Sequence, residues 1–110
     1  MKATELMIGD WIVKPSGHIR TIDRAEFSND DVWFEDIKPI PLTPEILEKN
    51  GWWYDVEDMW LHDEVDFGIE RWNGGFQCYD INQIKLHSVH QLQHTLRLCG
   101  LNDLADNFKI

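Results

Sequence analysis

Apolar positions fall in short bursts along most of the chain and in a helical rhythm at two places. Leu6-Met-Ile-Gly-Asp-Trp-Ile-Val13 predicts a strand entered through a Gly-Asp turn, followed by a turn at Lys14-Pro-Ser-Gly17. His18 to Phe27 predicts a longer strand region carrying Ile19, Ile22 and Phe27. After the turn Ser28-Asn-Asp-Asp31, Val32-Trp-Phe34 and Asp36-Ile-Lys-Pro-Ile40 predict short strands, the last kept at an edge by Pro39 and Pro41. Short strands joined by tight turns over residues 1–41 suit a small SH3-like barrel or meander.

The helical signals are local and specific. In Leu42-Thr-Pro-Glu-Ile-Leu-Glu-Lys-Asn-Gly51, Thr43 can cap free amides, Pro44 suits the first helical position, and Asn50-Gly51 supplies a left-handed stop. Ile46 and Leu47 are its expected anchors. Ser88-Val-His-Gln91 has the form of a capping box. It opens a helix expected to run to Cys99 and stop at Gly100, with Val89, Leu92, Leu96 and Cys99 as its apolar stripe. Leu101 to Phe108 repeats the spacing for a further turn or two.

Between the helices, Trp52-Trp-Tyr54, Met59-Trp-Leu61 and the alternation of Val65, Phe67 and Ile69 with Asp66, Gly68 and Glu70 predict strands. Asn73-Gly-Gly75 predicts a hairpin turn leading into Phe76–Ile81, with Ile84–Leu86 after it. The expected architecture is α+β: one compact domain over 1–110, made of the SH3-like part (1–41), a short helix (42–51), and an antiparallel sheet with the C-terminal helix packed on it (52–110).

Composition fits a folded domain, with 43% hydrophobic and 27% charged residues and six tryptophans in 110 residues. Ten Lys and Arg against twenty Asp and Glu give a formal charge of −10, which repels phosphate backbones and anionic lipid and favours basic partners or none. Even residues 1–50 carry six basic and ten acidic side chains, so direct nucleic-acid binding is disfavoured there too. The first ten residues hold no apolar stretch suited to a signal peptide or membrane helix, and Cys78 and Cys99 form no motif. The expected setting is the cytoplasm, with both thiols reduced and buried.

Seven acids and no Lys or Arg lie between Asp55 and Glu70, a run that taken alone reads as a solvated sheet face kept soluble by charge. Trp52, Trp53 and Trp60 cluster beside this run, and adjacent Trp52 and Trp53 cannot both face inward on a strand. Aromatics next to Asp63, Glu64 and Asp66 suit a protein-binding surface, whereas Trp11, Trp33 and Trp72 alternate with polar neighbours as core residues do. His87, His90 and His94 share one helical face opposite the apolar stripe. His90-Gln-Leu-Gln-His94 has the spacing of a zinc-protease helix, but Gln91 stands where the glutamate base is needed. This face is expected to be polar and solvated, with no metal and no cofactor. The paired acids Asp63 and Glu64 point to opposite sides of a strand, Gly74-Gly75 lacks the helix and lysine of a phosphate loop, and no nucleophile stands in a catalytic context.

Three segments, Leu6–Trp11, Ile40–Gly51 and Val89–His94 continuing to Leu98-Cys-Gly100, resemble a family of small uncharacterised proteins abundant in Bacteroides and related gut bacteria, often in prophages and mobile elements. The resemblance spans nearly the whole chain and is weakest over Trp53–Asp80. It implies a bacterial cytoplasmic setting linked to phage or mobile-element biology, and no activity, cofactor or catalytic residue. The leading expectation is a non-enzymatic protein-binding module. The alternatives are an acidic nucleic-acid mimic inhibiting a host defence protein and a metal-dependent hydrolase using the C-terminal histidines.

Overall fold

The structure, a computed structural model, describes residues 7, 9–13, 17–22, 38–55, 58–72, 75–79 and 84–110, the side chain of Trp72 excepted. The described residues form the strands β1 (Trp11–Val13), β2 (Ile19–Thr21), β3 (Lys38–Pro39), β4 (Trp53–Asp55), β5 (Met59–Leu61), β6 (Ile69–Trp72) and β7 (Gly75–Cys78). With helices α1 (Pro44–Lys49), α2 (Val89–Leu98) and α3 (Asn102–Asp106), they make the small α+β fold that the pattern predicts. The strands form two antiparallel sheets, ordered β2-β1-β3 and β4-β5-β6-β7. Two compact units result: Met1–Ile40 with Ser88–Asp106, and Pro41–His87 with Asn107–Ile110.

In the first unit β1 is central, pairing Ile12 with Arg20 on one side and with Pro39 on the other. Pro39 lacks an amide hydrogen and sits, as it must, on an outer strand. The remaining strands expected before residue 38, and with them Trp33 and any SH3-like closure, lie outside the described residues. The Gln91 half of the expected capping box is made, Ser88 N donating to Gln91 Oε1 at 3.1 Å. Helix α2 stops in a Schellman motif: Gly100 N donates to Arg97 O at 3.0 Å and Leu101 N to Leu96 O at 2.8 Å, with Gly100 at φ +79°. Val89, Leu92 and Leu96 are buried as expected, but Cys99 is exposed, because the motif has already turned the chain out of the stripe. The helix contacts β1 and α3 of its own unit, where the sequence reading grouped it with the 52–87 sheet.

In the second unit Thr43 Oγ1 accepts from Ile46 N at 3.3 Å and opens α1, and Leu47 is fully buried. Strands β4 to β7 form a meander. Its register aligns Tyr54, Trp60, Ile69 and Cys78 in one row across the sheet, and the last three are buried. Ile84–Leu86 continues the sheet beyond β7, with Cys78 N donating to Ile84 O and Leu86 N to Phe76 O. The expected strand at Val65 begins later, at Ile69. Residues 62–65 instead form a turn closed by Val65 N to His62 O, although Val65 and Phe67 stay buried against exposed Asp66. Among the described residues no helix is long and apolar enough to cross a membrane.

Candidate functional site

The end of α1 sorts the two adjacent tryptophans. Gly51 N donates to Glu48 O at 3.2 Å and Trp52 N to Leu47 O at 3.1 Å, a second Schellman motif with Gly51 at φ +87°. This geometry turns Trp52 inward, where it is 4% exposed and packs against the rings of His62 and Phe67. Trp53 then opens β4 on the other side of the chain and is 44% exposed. Trp60, also expected on the binding surface, is 3% exposed and belongs to the core, its ring covered by Tyr54 at 5.3 Å. The reason is register: Trp60 lies opposite Ile69, on the buried face of the sheet. Trp53 is therefore the exposed member of the three, and Tyr54, at 49%, is the second exposed ring of the strand.

Register also divides the acidic run. Trp53 pairs with Leu61 and Asp55 with Met59, so Asp63, Glu64 and Asp66 follow the Trp53 end of the hairpin while Asp55 and Asp58 sit at the other. All of these but Asp55 are exposed. The three-residue connection from Asp55 to Met59 places Asp58 at φ +60°, a left-handed position that aspartate tolerates. The Tyr54 hydroxyl donates to Asp58 Oδ1. That hydrogen bond, with desolvation and the Asp58 charge adding to it and Arg71 opposing, holds the phenol above its ordinary value of about 10.

The first unit holds a polar cluster that the sequence reading missed. Asp10 is fully buried, and its carboxylate accepts from Met7 N at 2.7 Å, Arg97 Nη1 at 2.7 Å and His94 Nε2 at 2.5 Å. Gly9, at φ +93°, makes room for this: a side chain there would approach Arg97 Nη2 to 3.0 Å. Beside it, fully buried Gln93 accepts from Trp11 N at 2.9 Å and donates to Gly9 O at 2.9 Å and Ala105 O at 3.0 Å. The Gly-Asp turn before β1 is thus the seat of α2. The arrangement can fasten a helix to a strand, each group being turned to an internal partner.

The histidine face is not the solvated face expected. His90 is 7% exposed, with Nδ1 3.1 Å from Ser88 Oγ, and its ring meets that of His94 edge-on at 5.5 Å. His94 is drawn in by Asp10, while His87 precedes the helix and is exposed. Among the described residues no group of three or more His, Cys, Asp or Glu is placed to hold a metal ion. Trp11 is half-buried.

No family model, curated protein or solved structure matches this chain.

Proposed function

We propose that this chain is a non-enzymatic module that binds a basic protein segment at the β4–β5 hairpin. The observation that carries this reading is the sorting of the aromatic cluster, which leaves Trp53 44% exposed on an outer strand between two groups of carboxylates. A large, stiff aromatic side chain can anchor a partner at small entropic cost, and flanking acids steer a basic one toward it. The net charge of −10 acts in the same direction over longer range. A bacterial setting in phage or mobile-element biology belongs to the same proposal and rests on the resemblance of the three segments named above.

Panning a displayed library of random peptides against the full chain tests it. Enrichment of Lys- and Arg-bearing sequences whose binding is lost on Trp53→Ala supports the reading. Enrichment of acidic or uncharged sequences, or binding indifferent to Trp53→Ala, overturns it.

A further inference from the structure

Residues 41–87 run uninterrupted through the second unit, and one further segment, Asn107–Ile110, joins them after the chain has passed through the other unit from 88 to 106. Asn50, at the C-terminal cap of α1, holds this segment by its backbone. Its Oδ1 accepts from Lys109 N at 2.7 Å and its Nδ2 donates to Lys109 O at 2.8 Å. Both backbone groups of one residue are paired, as a neighbouring strand would pair them, and neither contact depends on the side chain at 109, which is exposed. Lys49 Nζ donates to Ile110 O at 3.2 Å. The ring of Phe108 is buried, at 4% exposed.

The grip is built without the segment. Asn50 Nδ2 also donates to Ile46 O at 2.8 Å, one turn back in α1, and the Asn50 carbonyl accepts from His62 Nε2 at 3.0 Å. Both partners lie within 41–87, so the amide is aimed independently of 107–110, and a preoriented donor and acceptor lower the ordering cost of binding. From these contacts we infer that the second unit carries a peptide-binding site at the end of α1, in addition to the surface proposed at Trp53, and that residues 107–110 fill it as a tethered ligand. The partner that fits is a short segment offering an aromatic side chain and, directly after it, a residue whose N–H and C=O can both pair with Asn50. A short tether gives its own ligand an effective concentration on the order of millimolar. An external segment therefore enters by displacing 107–110, and the site is self-inhibited.

Titration of the full chain with acetyl-Asn-Phe-Lys-Ile-amide, followed by NMR at the Asn50 side-chain amide, tests the inference. The unchanged chain is compared with Phe108→Ala, which weakens the tethered ligand and leaves Asn50 in place. The peptide is expected to bind the variant at least about 10-fold more tightly than the unchanged chain. The same peptide N-methylated at its lysine cannot donate to Asn50 Oδ1 and is expected to lose that binding. Equal affinity for the two chains, no binding to a folded Phe108→Ala chain, or binding indifferent to the N-methyl group overturns the inference. Should Phe108→Ala fail to fold, hydrogen exchange in the unchanged chain decides. A tethered ligand opens alone, so the Lys109 amide is expected to exchange at least about 100-fold faster than the Cys78 amide of the sheet, and equal rates overturn the inference. A dimer in sedimentation equilibrium that the peptide dissociates makes residues 107–110 of a second copy the occupant and overturns the tethered assignment.

Discussion

The imidazole of His62 joins the end of α1 to the acidic turn, its Nε2–H donating to Asn50 O at 3.0 Å while Nδ1 accepts from Glu64 N at 3.1 Å. The two partners fix the tautomer, since a carbonyl can only accept and an amide can only donate. Asn50 in turn exchanges hydrogen bonds with the backbone of Lys109, at 2.7 and 2.8 Å. The carboxylates of the proposed surface therefore begin from a fixed point, one residue after a ring that Trp52 packs against at 5.3 Å.

Gly51 is required there for two reasons. Its φ of +87° disfavours any side chain, and a Cβ would stand 2.9 Å from His62 Nε2. Gly51→Ala is expected to lower stability by about 1–3 kcal/mol in urea denaturation. A loss under about 0.5 kcal/mol would show that the turn can relax without either constraint.

Gln93→Leu keeps the volume of the side chain and removes every polar contact. It leaves Trp11 N without this acceptor and Gly9 O and Ala105 O without this donor, the last of these contacts buried and the other two part-buried. At about 1–3 kcal/mol for each group so stranded, a loss of about 3 kcal/mol or more is expected. Chemical denaturation of the variant checks it, and a neutral result would mean that water replaces the amide.

Asp10→Ala leaves Arg97 and His94 facing each other without their common acceptor. A loss of about 3–5 kcal/mol is expected, as for other buried ion pairs broken on one side. Arg97→Met should cost less, because the carboxylate keeps Met7 N and His94. The order of the two variants in thermal unfolding is the measurement, and equal losses would refute it.

Leu92 and Leu96 are 0% and 1% exposed on the buried side of α2. Leu92→Ala or Leu96→Ala is expected to cost about 2–5 kcal/mol, the range for large cavities in a core. A change below about half a kcal/mol at both sites would assign the helix another face.

Tyr54 should ionise above the ordinary tyrosine value, and Asp58→Asn should bring its midpoint down, read from phenolate absorbance at high pH. Because the folded-state value is raised, the contribution to stability is fully present below about pH 10 and is lost as pH rises through the folded-state value. An unchanged midpoint in Asp58→Asn would place the cause elsewhere.

The parts of the fold that were readable from sequence depend on near neighbours. Thr43, Asn50-Gly51, Gln91 and Gly100 act within four residues of themselves, so both helices and their stops appear where local chemistry puts them. The alternation that buries Trp60 and exposes Trp53 becomes decidable once strand register is known, and register depends on which residues pair. The Asp10 cluster was not readable at all. Its carboxylate meets His94 and Arg97 across 84 and 87 residues, and no spacing rule reaches that far. The same contact explains why the histidine face is not a solvated one. The pair His90 and Ser88 offered a local hint, a hydroxyl two residues before an imidazole that could hold it against the helix start.

The two-unit division has a kinetic consequence during synthesis. Residues 41–87 emerge from the ribosome as one uninterrupted stretch that already contains α1 and the whole four-stranded sheet. The first unit is assembled from both sides of that insertion, and the amide of Trp11 waits for Gln93, made 82 residues later. At about 5–20 residues per second the delay is roughly 4–16 s, far longer than a hairpin needs to form. Through that interval the nascent β1 lacks α2. A chaperone, or another growing chain on the same messenger, can reach it before its own C-terminal helix does.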